Sequence, residues 1–199
     1  MIPLVFVHGF LGSPKDWEGV CRYMQPRPFR FVASPFEIDE DPFDLVGYSL
    51  GGRLSLQYAQ VHPMRIRHLV LISTHPGLQS EEEKIKRLEY DQKWANLLDD
   101  RTIDEFLERW YDQPIFAGFK PDLKERRLQD PQVLKQCLLD HSLAKQPYLN
   151  DSRARWIVGE RDEKFKKLHP EAMIVHNAGH MVPLENPKGL AHILEEILQ

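Results

Sequence analysis

Cysteine is scarce. The 199 residues hold two, Cys21 and Cys137, far apart and without Cys-x-x-Cys spacing. That excludes a disulfide-stapled scaffold and leaves two reduced thiols that need no function as the expectation. Long hydrophobic runs are missing too: no apolar stretch approaches the ~18 residues of a membrane span. The opening Met1-Ile2-Pro3-Leu4-Val5-Phe6-Val7-His8-Gly9 has no basic leader and no small-residue cleavage site. It reads as a strand rather than a signal peptide, and a cytoplasmic location is expected. Positive charge is not in excess. A net charge of −4 gives no general attraction to nucleic acid or to an anionic membrane. A Gly-rich phosphate loop is absent, so no nucleotide cofactor is expected. No metal-ligand spacing occurs: His176 and His180 are four apart, but in a strand and loop rather than on a helix. Internal repeats and low-complexity segments are also lacking.

What is present is a chain long enough for one domain with a real core, and its 42% hydrophobic and 28% charged residues read as soluble and globular. It is organised around Asp44-Leu45-Val46-Gly47-Tyr48-Ser49-Leu50-Gly51-Gly52-Arg53. An apolar strand-type run ends in Gly-x-Ser-x-Gly and helix formers follow at once. A strand, a sharp turn and a helix with serine at the apex form a nucleophile elbow. The small residues Gly47 and Gly51 let strand and helix come close, Ser49 takes a strained backbone, and the first N–H groups of the helix point at whatever Ser49 attacks.

The rest of the chain alternates strands with helices, which specifies a mostly parallel α/β sheet. Residues 3–7 form a short buried strand that stops at His8-Gly9-Phe10-Leu11-Gly12-Ser13. The N–H of Phe10, or of Leu11 beside it, is placed to pair with that of Leu50 as an oxyanion hole. Ser13-Pro14 starts a helix with Trp17, Val20, Cys21 and Met24 on its core face. Residues 29–33 are the next strand. Only residues 34–43 separate it from the elbow strand, and a parallel crossover needs about a dozen or more. Either the first strand lies between those two, or a crossover helix has been lost, or both. Another strand covers residues 68–73. From there to about residue 150 no strand pattern appears. Helices are expected near 80–98, 102–111 and 131–143, the first opened by a capping box at Ser80-Glu81-Glu82-Glu83. Residues 77–150 thus read as a helical lid inserted into a core of residues 1–76 and 151–199. The sheet resumes at residues 155–159 and 172–176, and a last helix runs from about 187 to 198.

Serine is a poor nucleophile at neutral pH and needs a base, which in turn needs an orienting carboxylate. Asp162 closes the penultimate strand and His180 follows the last, giving the order Ser, Asp, His at one sheet edge. Ser49 is the candidate nucleophile or relayed base, His180 the base and Asp162 its orienter, with Glu160 as runner-up acid. His62, His68, His169, His176 and His192 are expected to be surface or packing residues.

The blocks His8-Gly9-Phe10-Leu11-Gly12, Gly47-Tyr48-Ser49-Leu50-Gly51-Gly52-Arg53 and Ala178-Gly179-His180-Met181-Val182-Pro183 resemble those of the α/β-hydrolases. More narrowly, His75-Pro76-Gly77-Leu78-Gln79, Asp91-Gln92-Lys93-Trp94, Trp110-Tyr111-Asp112-Gln113-Pro114-Ile115-Phe116, Ser142-Leu143-Ala144-Lys145-Gln146-Pro147 and Gly159-Glu160-Arg161-Asp162-Glu163-Lys164-Phe165 resemble the 2-succinyl-6-hydroxy-2,4-cyclohexadiene-1-carboxylate synthases of menaquinone biosynthesis. The resemblance implies an α/β-hydrolase fold and a lyase that eliminates pyruvate from a multiply carboxylated cyclohexene, a small anionic substrate, without a cofactor. It implies substrate contacts for Arg53, Arg87 and Lys84, for Arg126 or Arg127, and for Tyr48, Trp110 and Tyr111. Two other readings stand beside it: an esterase or thioesterase acting on a carboxylated acyl ester such as a pimeloyl-carrier-protein ester, and a non-catalytic hydrolase-like binding module.

One departure bears on the fold. The family carries a loop and a helix where this chain has only residues 34–43. A bare sheet face next to the elbow strand is therefore expected, which a partner subunit such as a second copy in a homodimer could cover. A changed pocket wall on that side is expected as well.

Overall fold

The computed structural model describes residues 2–39, 42–116 and 118–199. Its described strands are β1 (Leu4–Val7), β2 (Phe29–Val32), β3 (Phe43–Tyr48), β4 (Ile66–Ile72), β5 (Arg155–Gly159) and β6 (Met173–Val175). All pairings are parallel, in the order β2-β1-β3-β4-β5-β6. The central strands β1 and β3 are buried at every position, as expected for strands covered on both faces. The register sets Val7 beside Gly47, Tyr48 beside Ile72 and Gly159 beside Val175. The loops after β1, β3, β4, β5 and β6 therefore leave from one carboxyl edge, where ligands bind in open α/β sheets.

Side chains alternate between two cores. On one face Leu4, Phe6, Val46, Val70, Ile72 and Ile157 pack beneath α1 (Glu18–Cys21) and α9 (Pro187–Ile197). Phe6 anchors this layer, its ring 4.5 Å from Trp17 and 5.7 Å from Phe31. Trp17 lies in the 3-10 turn Pro14–Trp17 that leads into α1, capped by Ser13 as its sequence indicates. On the other face Val5, Val7, Leu45, Leu69 and Leu71 pack against Leu56, Tyr58 and Ala59 of α2 (Leu50–Val61).

Residues 34–43 resolve both halves of the crossover problem. Strand β1 lies between β2 and β3. The described part of the link holds a 3-10 turn, Pro35–Glu37, and no longer helix; Glu40 and Asp41 lie outside the described residues. The sheet face beside the elbow strand is nevertheless not bare, contrary to the sequence expectation. Val5, Val7 and Leu45 are fully buried because Ile38, tucked in by the short link, joins α2 in covering them. Phe36 packs edge-on against Tyr58 with centroids 5.0 Å apart, although more than half of it stays exposed. The link thus covers this part of the molecule with two apolar side chains.

Between β4 and β5 come α3 (Glu81–Asp100), α4 (Ile103–Tyr111), α5 (Lys124–Arg127) and α6 (Pro131–Asp140). Capping boxes open α3 at Ser80 and α4 at Thr102, and Asp130 caps α6 ahead of Pro131. Their apolar faces form a third core in which Phe106, Leu107, Tyr111, Phe116 and Leu138 meet Phe10 and Leu11 after β1 and Met181 after β6. This helical layer is thus seated on the sheet's carboxyl edge. The remaining helices, α7 (Glu163–Leu168) and α8 (Val182–Glu185), follow β5 and β6.

The β3–α2 junction is tightly packed: a Cβ on Gly51 would stand 2.3 Å from the carbonyl oxygen of Val7. Because backbone blocks that space, Gly51→Ala must push β1 from α2. We expect a loss of ~3 kcal/mol in urea unfolding, at the upper end for overpacking.

Candidate active site

Ser49 follows β3 and precedes the first turn of α2, with φ 52° and ψ −111°. Few non-glycine residues adopt such a backbone, and it persists only where the surroundings hold it. Here Ser49 N–H donates to the Ile72 carbonyl at 2.9 Å and Ser49 C=O accepts from Arg53 N–H at 3.1 Å. The side chain is left to project into a cavity of about 280 Å³ between the sheet edge and the helical layer.

His180 arrives on the loop after β6. The carboxylate of Glu185 builds that loop: it accepts from Gly179 N–H at 2.8 Å, Met181 N–H at 3.0 Å and the Arg161 guanidinium at 2.7 Å. Asp162 caps α7 and accepts from Phe165 N–H at 3.3 Å. The Asp162 carboxylate lies 2.8 Å from His180 Nδ1, and His180 Nε2 lies 3.3 Å from Ser49 Oγ. The three side chains therefore form one hydrogen-bonded chain. Asp162 and His180 are buried, and Phe165, Tyr48 and Phe116 surround the imidazole at centroid distances of 5.0, 5.6 and 6.0 Å. Glu160 is not part of this group. It is exposed and binds His176 and the Asn177 N–H instead.

Phe10 and Leu50, the expected oxyanion pair, both line the cavity beside Ser49. Leu50 is the first residue of α2, where backbone N–H groups have no partner within the helix. Gln129 donates to Leu11 C=O at 3.0 Å and so steadies the Phe10 loop, in which Leu11 has φ 62°.

The basic residues divide sharply. Arg53, Arg87, Arg126 and Lys164 reach the cavity, while Lys84 and Arg127 do not line it. Lys84 pairs with Glu81 one turn away on α3, at 2.7 Å. Arg127 is exposed and pairs with Asp104. The choice between Arg126 and Arg127 falls to Arg126, but that guanidinium is already engaged: it donates to Asp16 at 2.9 and 3.1 Å and to Tyr111 Oη at 2.7 Å. Arg87 is held by Asp91 at 2.8 Å. Arg53 donates to the His141 carbonyl and has no acidic partner among the described residues. Burial, reinforced by the charge of Arg87, pushes Arg53 down to about 10, still protonated at neutral pH. Burial also lowers Lys164 and raises Tyr48 and Tyr111. Tyr48, Trp110 and Tyr111 line the cavity as expected.

Asp16, His75 and Lys164 line the cavity without having been singled out from the sequence. Asp16 looks like an ordinary first-turn helix acid, and His75 and Lys164 sit inside motifs used only for their likeness. No described residue of the 34–43 link lines the cavity; the link packs on the α2 face. No metal-binding cluster of His, Cys, Asp and Glu occurs among the described residues, and none of their helices is long and apolar enough to cross a membrane.

A family model for the alpha/beta hydrolase fold matches residues 37–171. The chain belongs to the α/β-hydrolase family. Within it, the chain is 29% identical to a 2-succinyl-6-hydroxy-2,4-cyclohexadiene-1-carboxylate synthase of Enterobacter sp. (strain 638), covering 98% of this chain and 91% of that protein. Against the synthase of the same name from Escherichia coli O1:K1 the identity is 30%, over 98% and 93% of the two chains. The alignments run over 235 positions, more than the 199 residues here, so these relatives carry segments that this hydrolase-family chain lacks. Among solved structures, MenH from S. aureus superposes with a TM-score of 0.84 at 22% identity, covering 99% of this chain and 93% of that one. An esterase from Thermogutta terrifontis superposes at 0.66 with 17% identity, over 100% and 89%. Both show the fold.

Two outcomes follow from the buried charges. Asp16→Ala strands Arg126 inside the protein, and unfolding in urea should show a loss of about 3–5 kcal/mol. His75 is pushed from its ordinary 6.5 down to about 4 by burial, then by the charges of Lys164, Arg53 and Arg87. The unfolded chain binds this proton more readily, so stability must fall as pH drops through the interval from about 6.5 to about 4. Urea midpoints measured across that interval should fall less steeply in His75→Gln.

Proposed function

We propose that this protein is a lyase that eliminates pyruvate from a multiply carboxylated cyclohexene to give the cyclohexadiene carboxylate for which its relatives are named, with Ser49, His180 and Asp162 acting together on the substrate. The observation that supports this above the others is the charge of the cavity. Three cationic side chains, Arg53, Arg87 and Lys164, face the space beside Ser49, and among the described residues only Arg87 of these has an acid within 4 Å, Asp91. An acyl ester with a single carboxylate would use one of these cations, whereas a ring bearing several carboxylates uses the whole set, with arginine the best fork for a carboxylate.

In this reading His180 draws the proton from Ser49 Oγ, and Ser49 removes a proton from the ring. The electrons of that C–H bond pass into the ring as a dienolate and then expel the ring substituent through its C–O bond, so that pyruvate leaves as its enol or enolate and gains a proton in water. Asp162 holds the imidazole and stabilises its charged form. Arg53 and the N–H groups of Phe10 and Leu50 stabilise the negative charge that develops. The layer α3–α6 serves as a lid that keeps water from the dienolate.

Pyruvate release from the menaquinone-pathway intermediate tests the reading. Wild type should release pyruvate; Ser49→Ala should lower kcat by at least ~10³-fold, and Arg53→Ala should lower kcat/KM by roughly 10²-fold. Equal rates in all three proteins would remove the lyase. Ready turnover of p-nitrophenyl butyrate that Ser49→Ala abolishes, without pyruvate release, would assign the same group to an esterase.

A further inference from the structure

His75 lies just after β4 and lines the cavity, yet the proton transfers proposed above do not use it. Its Nδ1 accepts a hydrogen bond from Gly77 N–H at 3.1 Å. A ring nitrogen that accepts carries no proton, so the single proton of the neutral imidazole sits on Nε2. The turn that imposes this is itself pinned. The Gln146 side-chain amide donates to the Pro76 carbonyl at 3.2 Å, and Leu149 N–H donates to the same carbonyl at 2.8 Å. Gly77 has φ 128°, and a Cβ there would stand 2.5 Å from the Pro147 carbonyl, so neither this conformation nor this packing suits another residue. Phe165 meets the ring nearly at a right angle, with centroids 6.4 Å apart.

We propose that His75 is a substrate-binding residue: with Nδ1 taken by Gly77, its Nε2–H is a fixed, neutral donor to an oxygen of a carboxylate-bearing substrate. The proposal rests on the anionic-substrate reading above and adds a group to it. The charged neighbours of the ring explain why neutrality matters. Lys164, Arg53, Arg87 and His169 all act to disfavour a positive charge on it, as does burial. A further cation there would have to be held against those already present. A neutral N–H adds direction at the same point without adding repulsion, and a hydrogen bond to a carboxylate is among the stronger kinds.

Two substitutions separate this role from support of the turn. Asparagine can offer Oδ1 to Gly77 N–H where Nδ1 stood, but nothing on it reaches the position of Nε2. Glutamine can bring an amide N–H to that position. With succinate as a dicarboxylate probe in calorimetry, His75→Asn should bind about tenfold more weakly than wild type, and His75→Gln should recover most of that loss. In wild-type protein labelled with ¹⁵N-histidine, the His75 ring should report the Nε2-protonated tautomer at neutral pH, and its Nε2 resonance should move on addition of succinate. An Nδ1-protonated ring, an Nε2 resonance that stays still at the highest succinate concentration, or wild-type affinity in His75→Asn would each overturn the proposal. Succinate binding that depends on His75, in a protein that releases no pyruvate from the pathway intermediate, would remove the lyase and leave this assignment standing.

Discussion

Strand β3 and helix α2 meet at Ser49 with their backbones nearly touching, and β1 closes the third side. A Cβ on Gly47 would lie 2.5 Å from Ser55 Oγ, and one on Gly51 would lie 2.3 Å from the Val7 carbonyl. In that space the chain can turn from strand to helix only by placing the intervening residue at positive φ, and Ser49 accepts the strain. Three consequences follow from this one contact. The Ser49 hydroxyl leaves the sheet edge, the first N–H groups of α2 face the same way, and β1 is locked beside β3 so that its following loop, with Phe10, arrives at the same place. The loops after β5 and β6 then need only supply Asp162 and His180 at hydrogen-bond distance, which the Glu185 carboxylate and the cap of α7 secure.

Charge is distributed around that point in two different ways. Arg126 and Asp16 neutralise each other, with Tyr111 as third partner, and join α5 to the turn after β1. Such a pair contributes less to net stability than its distances suggest, because both groups gave up water, but removing either partner leaves a bare charge. Its effect is positional: it ties the helical layer to the loop that carries Phe10. Arg53 lies on the other side, where a backbone carbonyl is its hydrogen-bond partner among the described residues, and has its pKa lowered by burial and by the charge of Arg87. A buried arginine beside further cations makes this wall of the cavity electrostatically suited to anionic groups.

How much of this is legible in the sequence depends on whether a feature is local. The elbow, the Ser13 and Ser80 caps and the apolar strands are local, and their residues specify them directly. The length of residues 34–43, too short for a covering crossover, posed the choice between an intervening β1 and a lost helix, and the structure places β1 between β2 and β3. Side-chain pairing across distant segments is not local. Nothing in Lys84 or Arg127 distinguishes a cavity cation from one facing solvent; the helical phase decides it, and a one-residue shift separates Arg126 from Arg127. Asp16 and Arg126 are 110 residues apart, so neither predicts the other. Glu185 is similar: within the sequence it is an acid before a proline-started helix, and only the fold shows three donors converging on it.

The short link before β3 shows which parts of this architecture can be lost separately from the cavity. The relatives carry segments that this chain lacks, and here the α2 face is closed with the help of Ile38 and Phe36 from the link. That face is opposite α1 and α9; the cavity lies at the carboxyl edge, walled by the edge loops, the first turns of α2 and α7 and the layer α3–α6. A helix packed flat on a sheet contributes buried area, whereas the edge loops contribute geometry. Ile38 and Phe36 contribute buried area of the first kind, while the register of β1, β3 and β4 sets where the edge loops leave the sheet. Ser49, His180 and the cationic wall are therefore positioned at the carboxyl edge by elements that the link before β3 does not touch.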